Sequence, residues 1–565
     1  MHSESDPVKI HQRFSMTIRT VSRILPFILL PAITVLVGCN GGGESDAAFG
    51  VYAQSTGSAA SYQATAEAEE VMPISESDIA TDSIAVTVTA PDELYENSFR
   101  AVSHSPLSTF SIDVDAASYS NVRGYLQRGT VPPPSIVRIE ELVNYFSYEY
   151  PEPSGDHPFA FNTEVANCPW NPEHRLVRVA LQGMQVPVEQ LPPANLVFLI
   201  DVSGSMSSEE KLPLLKQSFY TLLDQLRPQD RVAIVAYAGE AGLVLKSTPG
   251  SDKDKIRSAI DRLESGGSTA GGAGISLAYK IAEKYRNEDG NNRVILATDG
   301  DFNVGLSSES ELVTLIEQER EKGVFLSIIG FGTGNYQDRK MEQLADNGNG
   351  NYYYIDNLRE GRRILANELS GTLYTIAKDV KLQIAFNPEN VQAYRLIGYE
   401  NRTLAARDFN DDRKDAGELG AGHSVTAFYE VVPVGSEVGY PVDQSKAEDY
   451  RLEDETPLRF TAEDLMVARL RYKQPNGSSS RLIEHLVGDN PSGTEKASQE
   501  FCFAAAVAEW GLLLRESSYG NNASFEQVLA LAQGAVGTDL DGYRSEFIDL
   551  VKESAGLMGQ SIASR

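Results

Sequence analysis

The chain has 565 residues, and its 79 acidic and 49 basic side chains give a formal net charge of −30 at neutral pH. This length is sufficient for about three or four domains of ordinary size. Binding to a nucleic-acid backbone requires clustered Lys and Arg, and no basic stretch interrupts the acidic sequence, which argues against nucleic acid as a partner. The three cysteines, Cys39, Cys168 and Cys502, are too few for a disulfide framework, so we interpret Cys168 and Cys502 as small buried apolar residues. A disulfide between these two in an oxidising compartment is the alternative.

The first patterned segment is an apolar run at 24–37, which follows two arginines and ends just before Cys39. The run is short for a membrane span, and small residues before a cysteine suit cleavage and acylation there. The pattern resembles a bacterial lipoprotein signal, which implies a signal peptide at 1–38, a lipid anchor at Cys39 and a cell-envelope location. Asn40 stands where lipoproteins retained at the inner membrane carry aspartate, which favours the outer membrane in a Gram-negative cell. An ordinary membrane anchor with a chance cysteine is the alternative.

The segment 39–97 is rich in Gly, Ser, Ala, Thr and Glu and contains few large apolar residues. Such a composition cannot bury enough surface to offset the entropy of ordering, so we predict a flexible tether. A small α+β domain is predicted at 98–188, because period-2 alternation around Phe110 is followed by helical patterns and further strands. Its predicted elements are a strand near Phe110, helices near Tyr119 and Leu142, and strands at 159–165 and 175–181.

From 189 to 376 short apolar strands alternate with helical patterns, which is typical of a parallel sheet covered by helices on both faces. We therefore predict an α/β domain with a doubly wound, mostly parallel six-stranded sheet. Its predicted strands are 196–200, 232–237, 243–245, 294–297, 324–329 and 352–355. The two clearest helices carry apolar stripes from Leu212 to Leu226 and from Ile275 to Tyr285.

Beyond this domain the strands lose their intervening helices. Runs at 380–386, 391–399, 425–432 and 465–472 predict a β-rich domain at 377–490, with antiparallel strands in a sandwich. The segment 491–565 is predicted to be helical, and its clearest stripe consists of Phe503, Val507, Trp510 and Leu514.

The turn after the first apolar strand of the α/β domain contains Asp201, Ser203 and Ser205 at alternate positions. In open α/β sheets, ligands bind beyond the carboxyl ends of the strands, where the strand order reverses. One carboxylate and two hydroxyls at this point present oxygen ligands suited to a hard cation. The isolated pattern is weak, because it arises by chance in many long chains.

Two further loops end at the same predicted edge of the sheet. A glycine-rich loop at 265–272 contains Thr269 and leads into a helix, and Asp299 directly follows the strand at 294–297. Together with Asp201, Ser203 and Ser205 they form a set of hydroxyl and carboxylate oxygens from three loops.

These five residues resemble the metal-ion-dependent adhesion site of the von Willebrand factor A (VWA) family, which uses Asp-x-Ser-x-Ser, a later Thr and a later Asp. The resemblance covers 190–376 and implies a single divalent cation, Mg²⁺ or Mn²⁺, with Ca²⁺ also possible. It further implies that the cation keeps a position open for an Asp or Glu carboxylate of a protein partner. The sequence does not identify that partner.

The flanking segments resemble a bacterial lipoprotein family in which an extra N-terminal domain precedes the VWA domain and a β-rich domain of unknown function follows it. The resemblance rests on 108–115 with Ser118 and Tyr119, on 132–134 before 138–141, and on 399–402. It sharpens the expected architecture more than the expected function.

The function expected from these patterns is metal-dependent adhesion or docking, without catalysis. One alternative is an accessory subunit of an AAA+ ATPase that remodels proteins, but this role requires exposure to the cytosol and conflicts with the signal at Cys39. The other is a metal-assisted hydrolase. Ser268 lies in a near match to a nucleophile elbow, but no histidine of the α/β domain is available to complete a triad.

Overall fold

The chain divides into two compact units, 1–86 and 87–565. The computed structural model describes part of the second unit: residues 95–560 except 113, 239–240, 267–271, 289, 301–308, 333–337, 369–373, 415, 446–458, 476, 492 and 494–495. The predicted signal peptide, Cys39 and the tether up to residue 94 lie outside the described residues, as do Ser268 and Thr269. Within the described ranges, no helix has the length and apolar character needed to cross a membrane.

The described elements are numbered in chain order. The strands are β1 Phe99–Ala101, β2 Leu107–Ser111, β3 Phe159–Cys168, β4 Asn171–Gly183, β5 Ala194–Asp201, β6 Arg231–Tyr237, β7 Ala241–Pro249, β8 Asn291–Thr298, β9 Phe325–Phe331, β10 Tyr352–Ile355, β11 Thr375–Phe386, β12 Val391–Ile397, β13 Thr403–Leu404, β14 Gly417–Gly420, β15 Ser424–Pro433, β16 Val442–Asp443, β17 Asp464–Lys473 and β18 Ser480–Gly488. The helices are α1 Ala117–Gln127, α2 Ile139–Asn144, α3 Leu212–Gln225, α4 Lys253–Asp261, α5 Gly272–Lys284, α6 Glu309–Glu321, α7 Asp338–Asn347, α8 Leu358–Arg362, α9 Gln499–Leu514, α10 Phe525–Gly534 and α11 Tyr543–Leu557.

The central domain is built on a six-stranded sheet with the order β10-β9-β8-β5-β6-β7. Neighbouring strands run parallel, except that β7 is antiparallel to β6. The apolar run of β5 is buried on both faces: Leu196, Phe198 and Ile200 pack into one core, and Val197 and Leu199 pack into the other. The predicted doubly wound, mostly parallel sheet is confirmed.

Two further sheets form a sandwich from segments on both sides of the central domain. Their orders are β16-β1-β12-β15-β4-β3 and β13-β2-β11-β17-β18, and their facing side chains share one core. Phe110 of β2 pairs in register with Leu382 of β11, and Val179 of β4 pairs with Ala427 of β15. The structure therefore joins the strands of 98–188 to those of 377–490, whereas the sequence patterns treat these segments as separate units. Periodicity locates a strand but does not identify a partner more than 200 residues away.

Helices from both ends of the described chain share a third core. Tyr119 of α1 and Leu142 of α2 pack with Phe503 and Trp510 of α9 and with Phe547 of α11. The predicted helical segment at 491–565 is present, but α9 is buried on nearly all sides, so its apolar residues form more than a single stripe. The central domain is thus inserted between two halves of a joint flanking structure.

Neither Cys168 nor Cys502 forms a disulfide within the part of the chain that the structure describes. Cys168 is buried and Cys502 is half-buried, and burial raises the pKa of both thiols above the ordinary value. Cys168 is the small buried residue that the sequence predicts, whereas Cys502 is less buried than predicted.

Candidate metal centre

The candidate site lies at the carboxyl ends of β5 and β8, which are neighbours in the central sheet. The chain continues from β5 to β6 and β7 on one side of the sheet, and from β8 to β9 and β10 on the other. Loops diverge at such a switch point and leave a crevice for a ligand. Asp201 is the last residue of β5, and Asp299 directly follows β8, so both predicted carboxylates lie at this crevice.

Asp201 is fully buried, and hydrogen bonds from neighbouring residues hold its carboxylate. Its Oδ1 accepts from the Ser203 backbone N–H at 2.8 Å, and its Oδ2 accepts from the Tyr237 hydroxyl at 3.2 Å and from Thr298 Oγ1 at 3.4 Å. Burial raises the pKa of Asp201, and the nearby Asp299 charge raises it further. A cation at this point would favour the ionised carboxylate.

The two predicted serines lie side by side. Ser203 Oγ is 3.0 Å from Ser205 Oγ, and the Met206 N–H donates to the Ser203 carbonyl at 3.1 Å, which tightens the turn between β5 and α3. Ser203 is buried and Ser205 is exposed. The turn therefore brings two hydroxyl oxygens together within four residues of the buried Asp201 carboxylate.

Asp299 carries the most informative atom of the site. The side chain is only 3% exposed, and its Oδ2 accepts from Lys211 Nζ at 2.9 Å. Its Oδ1 is buried and has no hydrogen-bond partner among the described residues. A buried polar atom without a partner is rare and calls for an explanation such as a bound ion. The donor set of two carboxylates and two hydroxyls fits a small hard cation.

Thr269, the fifth predicted ligand, lies outside the described residues, but both flanks of its loop are anchored at the crevice. The Gly266 N–H donates to the Val202 carbonyl at 2.7 Å. A Cβ at Gly274, in the first turn of α5, would lie 3.0 Å from Leu199 Cδ1 and 3.2 Å from Tyr237 Cβ, so α5 begins against β5 and β6. The loop between these points starts and ends beside Asp201.

Lys211 is the residue that sequence reasoning missed. It immediately precedes α3, and its ammonium donates both to Asp299 Oδ2 and, at 3.0 Å, to the Ser205 carbonyl. The available signal was a cation at a helix N-terminus, where the helix dipole favours anions. Because the helix dipole disfavours a lysine at this position, the lysine indicates a carboxylate nearby, but the sequence does not show which carboxylate.

In the described part of the chain, no three or more His, Cys, Asp or Glu side chains gather as a metal site. The arrangement at Asp201 and Asp299 differs from such clusters, because half of its described donors are serine hydroxyls. Few anionic ligands leave a bound cation with more of its positive charge, which favours a further anion from outside.

Family models match three consecutive parts of the chain: "von Willebrand factor" at 86–178, "von Willebrand factor type A domain" at 195–367, and "Uncharacterized protein YfbK, C-terminal" at 371–557. Among solved structures, a von Willebrand factor type A protein from Catenulispora acidiphila is similar, with 16% identity and a TM-score of 0.40, over 72% of this chain and 92% of that one.

Among individual proteins, the uncharacterized protein YfbK of Escherichia coli (strain K12) is 43% identical over 469 residues, which cover 82% of this chain and 80% of YfbK. The inter-alpha-trypsin inhibitor heavy chain H3 of Homo sapiens is 28% identical over 174 residues, 29% of this chain and 19% of that protein. The resemblance to VWA proteins is confirmed, and at this identity and coverage the chain belongs to the family of YfbK, with a von Willebrand factor type A domain at its centre.

Proposed function

We propose that the chain is a cell-envelope docking protein that binds the carboxylate of a protein partner through one divalent cation. The observation that carries the proposal is the buried Asp299 Oδ1, which has no hydrogen-bond partner among the described residues and lies at a crevice with Asp201, Ser203 and Ser205. In this proposal Asp201, Ser203, Ser205, Thr269 and Asp299 hold Mg²⁺ or Mn²⁺, directly or through water, with Ca²⁺ a weaker fit.

A bound cation of this kind supplies a positive, exchangeable coordination position for an Asp or Glu oxygen. The chain's own residues determine how that position is oriented. The Tyr237 and Thr298 hydroxyls and the Ser203 N–H fix the Asp201 carboxylate, and the exposed turn at Ser205 leaves the crevice accessible from outside. Partners of the metal ligands usually matter for affinity nearly as much as the ligands do.

The test is calorimetric titration of the purified chain with Mg²⁺, Mn²⁺ and Ca²⁺. Asp299→Asn removes one carboxylate charge at constant size, and we expect it to abolish binding while the fold remains intact, because the site lies at the edge of the sheet. Asp549→Asn is the matched control, since its side chain is 77% exposed on α11. Equal binding by wild type and Asp299→Asn would rule out this site.

The envelope part of the proposal rests on Cys39 and the apolar run before it. We expect cells that express the chain to incorporate a radiolabelled fatty acid into it, and Cys39→Ser to lose the label. Cys168→Ser is the control, because that thiol is buried. Label retained in Cys39→Ser would contradict lipidation at this position but would leave the metal site untested by that result and open to the titration.

A further inference from the structure

Lys211 places an ammonium group inside the candidate metal centre. Its Nζ is 2.9 Å from Asp299 Oδ2 and 3.0 Å from the Ser205 carbonyl oxygen, and the Lys211 side chain is only 18% exposed. Both contacts are to atoms of residues in the proposed ligand set. The Lys211 ammonium therefore neutralises part of the negative charge of this crevice.

The backbone around Lys211 is shaped to hold its side chain across the crevice. Gly332, which follows β9, has a φ of +81°, and a Cβ at that position would collide with the methylene carbons of Lys211. The glycine thus leaves the space that the lysine stem occupies. At the other end, the Lys211 carbonyl accepts from the Leu215 N–H at 2.8 Å, which fixes the residue at the first turn of α3.

A divalent cation and the Lys211 ammonium would each weaken the binding of the other to Asp299. Asp299 Oδ2 accepts from the ammonium, so a metal bound through Oδ1 would share a single carboxylate with Nζ. At such separations, in a partly buried crevice, like charges repel strongly because solvent screens them poorly. Loading the metal therefore requires Lys211 to release Asp299 or to remain nearby at an energetic cost.

We propose that Lys211 is a built-in competitor of the divalent cation, which lowers the metal affinity of the free protein. This inference rests on the proposed metal site. Because the carboxylate of a partner brings a compensating negative charge, the lysine makes stable metal loading depend more strongly on that partner. Lys211 thereby favours a site that holds the cation mainly while the partner is bound.

The experiment is Mn²⁺ titration of the full chain, followed by the electron paramagnetic resonance signal of free Mn²⁺. Lys211→Met keeps most of the apolar stem and removes the charge, and we expect it to bind Mn²⁺ about tenfold more tightly than wild type. Lys216→Met is the matched control, because that lysine lies on the same helix and its ammonium donates to the carbonyls of Asp261 and Leu263. We expect the control to bind like wild type.

A second readout is the thermal midpoint in EDTA. Lys211→Met should melt below wild type there, because Asp299 loses its counter-charge, and saturating Mn²⁺ should reverse the order. A fall in midpoint together with tighter binding supports the proposal, as does binding detected in the variant alone.

The other outcomes separate two failures. If wild type binds Mn²⁺ and Lys211→Met binds equally or more weakly, the lysine is not a competitor, and the proposal is overturned while the metal site stands. An unchanged EDTA midpoint overturns it as well, since the ammonium then neutralises nothing. If neither protein binds Mn²⁺, the proposed metal site fails, and this inference fails with it.

Discussion

Two groups of charged side chains in this molecule differ in how completely they are neutralised. At the junction between α1 and the end of the central domain, the buried Arg123 donates to Asp356 at 2.7 Å, to Glu360 at 2.8 Å and to Glu546 at 3.1 Å. At the candidate metal centre, Asp299 has one lysine on Oδ2 and no partner for Oδ1 among the described residues.

The difference separates charges that hold domains together from charges that are available to a ligand. Burying an ion is costly unless partners surround it. The partners of Arg123 on α1 come from the residue after β10, from α8 and from α11, so the pairing fixes how the central domain meets its flanks. At the crevice, Asp299 Oδ1 has no such partner among the described residues. A binding site requires a charged group whose partners are incomplete, so that a ligand can supply the missing one. An interface between domains requires a charged group whose partners are all present.

The strongest test of this comparison is Arg123→Met. We expect a loss of about 3–5 kcal/mol in the free energy of unfolding, because Asp356 remains largely buried without its guanidinium partner and Glu360 loses one of its guanidinium partners while keeping Arg363. Urea denaturation measures the loss. Arg413→Met is the control, since that side chain is 90% exposed and pairs with Asp411 two residues earlier. It should change stability by no more than about 0.5 kcal/mol. Equal effects of the two substitutions would refute the structural role of the junction.

Glu509 of α9 sharpens the comparison, because it is a carboxyl in the flanking core that has no counter-ion among the described residues. Its Oε1 accepts from the Ser524 N–H at 3.1 Å, its Oε2 has no partner in the described part of the chain, and burial raises its pKa from 4.5 to about 8. The folded state therefore keeps a proton that the unfolded state has lost between these values, so stability falls as pH rises through this window.

Glu509→Gln should remove that dependence. Between pH 5 and pH 8 we expect the wild type to lose about 3 kcal/mol more unfolding free energy than the variant does. Urea denaturation at both pH values measures the difference. Parallel pH profiles for the two proteins would show that the carboxyl is already charged in the folded state.

The central sheet and its crevice are predictable from sequence because their signals are local. The apolar run of β5 predicts a strand buried on both faces, and parallel strands must place Asp201 and Asp299 at the same edge. The joint sandwich is not predictable in this way. Phe110 pairs with Leu382, which lies 272 positions later in the chain. The alternation of apolar and polar residues within each strand does not indicate which strand it pairs with.

Lys211 shows the same limit of sequence-based prediction at the candidate metal centre. Its position before α3 is readable from the apolar stripe that begins at Leu212, but its contact with Asp299 depends on the space left by Gly332 beyond another strand. Three separated segments must be folded before that contact exists. Motif residues are therefore easier to predict from sequence than the side chains that modulate them.

A smaller effect should distinguish the two charge groups by their response to metal. At a Mn²⁺ concentration of 100 times Kd, the wild type should gain about 2.7 kcal/mol of unfolding free energy by mass action. Asp299→Asn should gain nothing, whereas Arg123→Met, although less stable, should gain as much as wild type. A lost metal response in Arg123→Met would show that the junction and the crevice are coupled.

The smallest expected effect concerns the Tyr237 hydroxyl, which donates to Asp201 Oδ2 at 3.2 Å from the end of β6. Tyr237→Phe keeps the buried ring and removes the hydroxyl that makes this orienting contact, so we expect about a tenfold loss of Mn²⁺ affinity with the fold retained. Tyr279→Phe is the matched control, because Tyr279 is buried in the same core and its hydroxyl has no hydrogen-bond partner among the described residues. If both variants lost affinity equally, packing would explain the loss. If Tyr237→Phe bound Mn²⁺ like wild type, the remaining contacts of Asp201 would be sufficient to orient it.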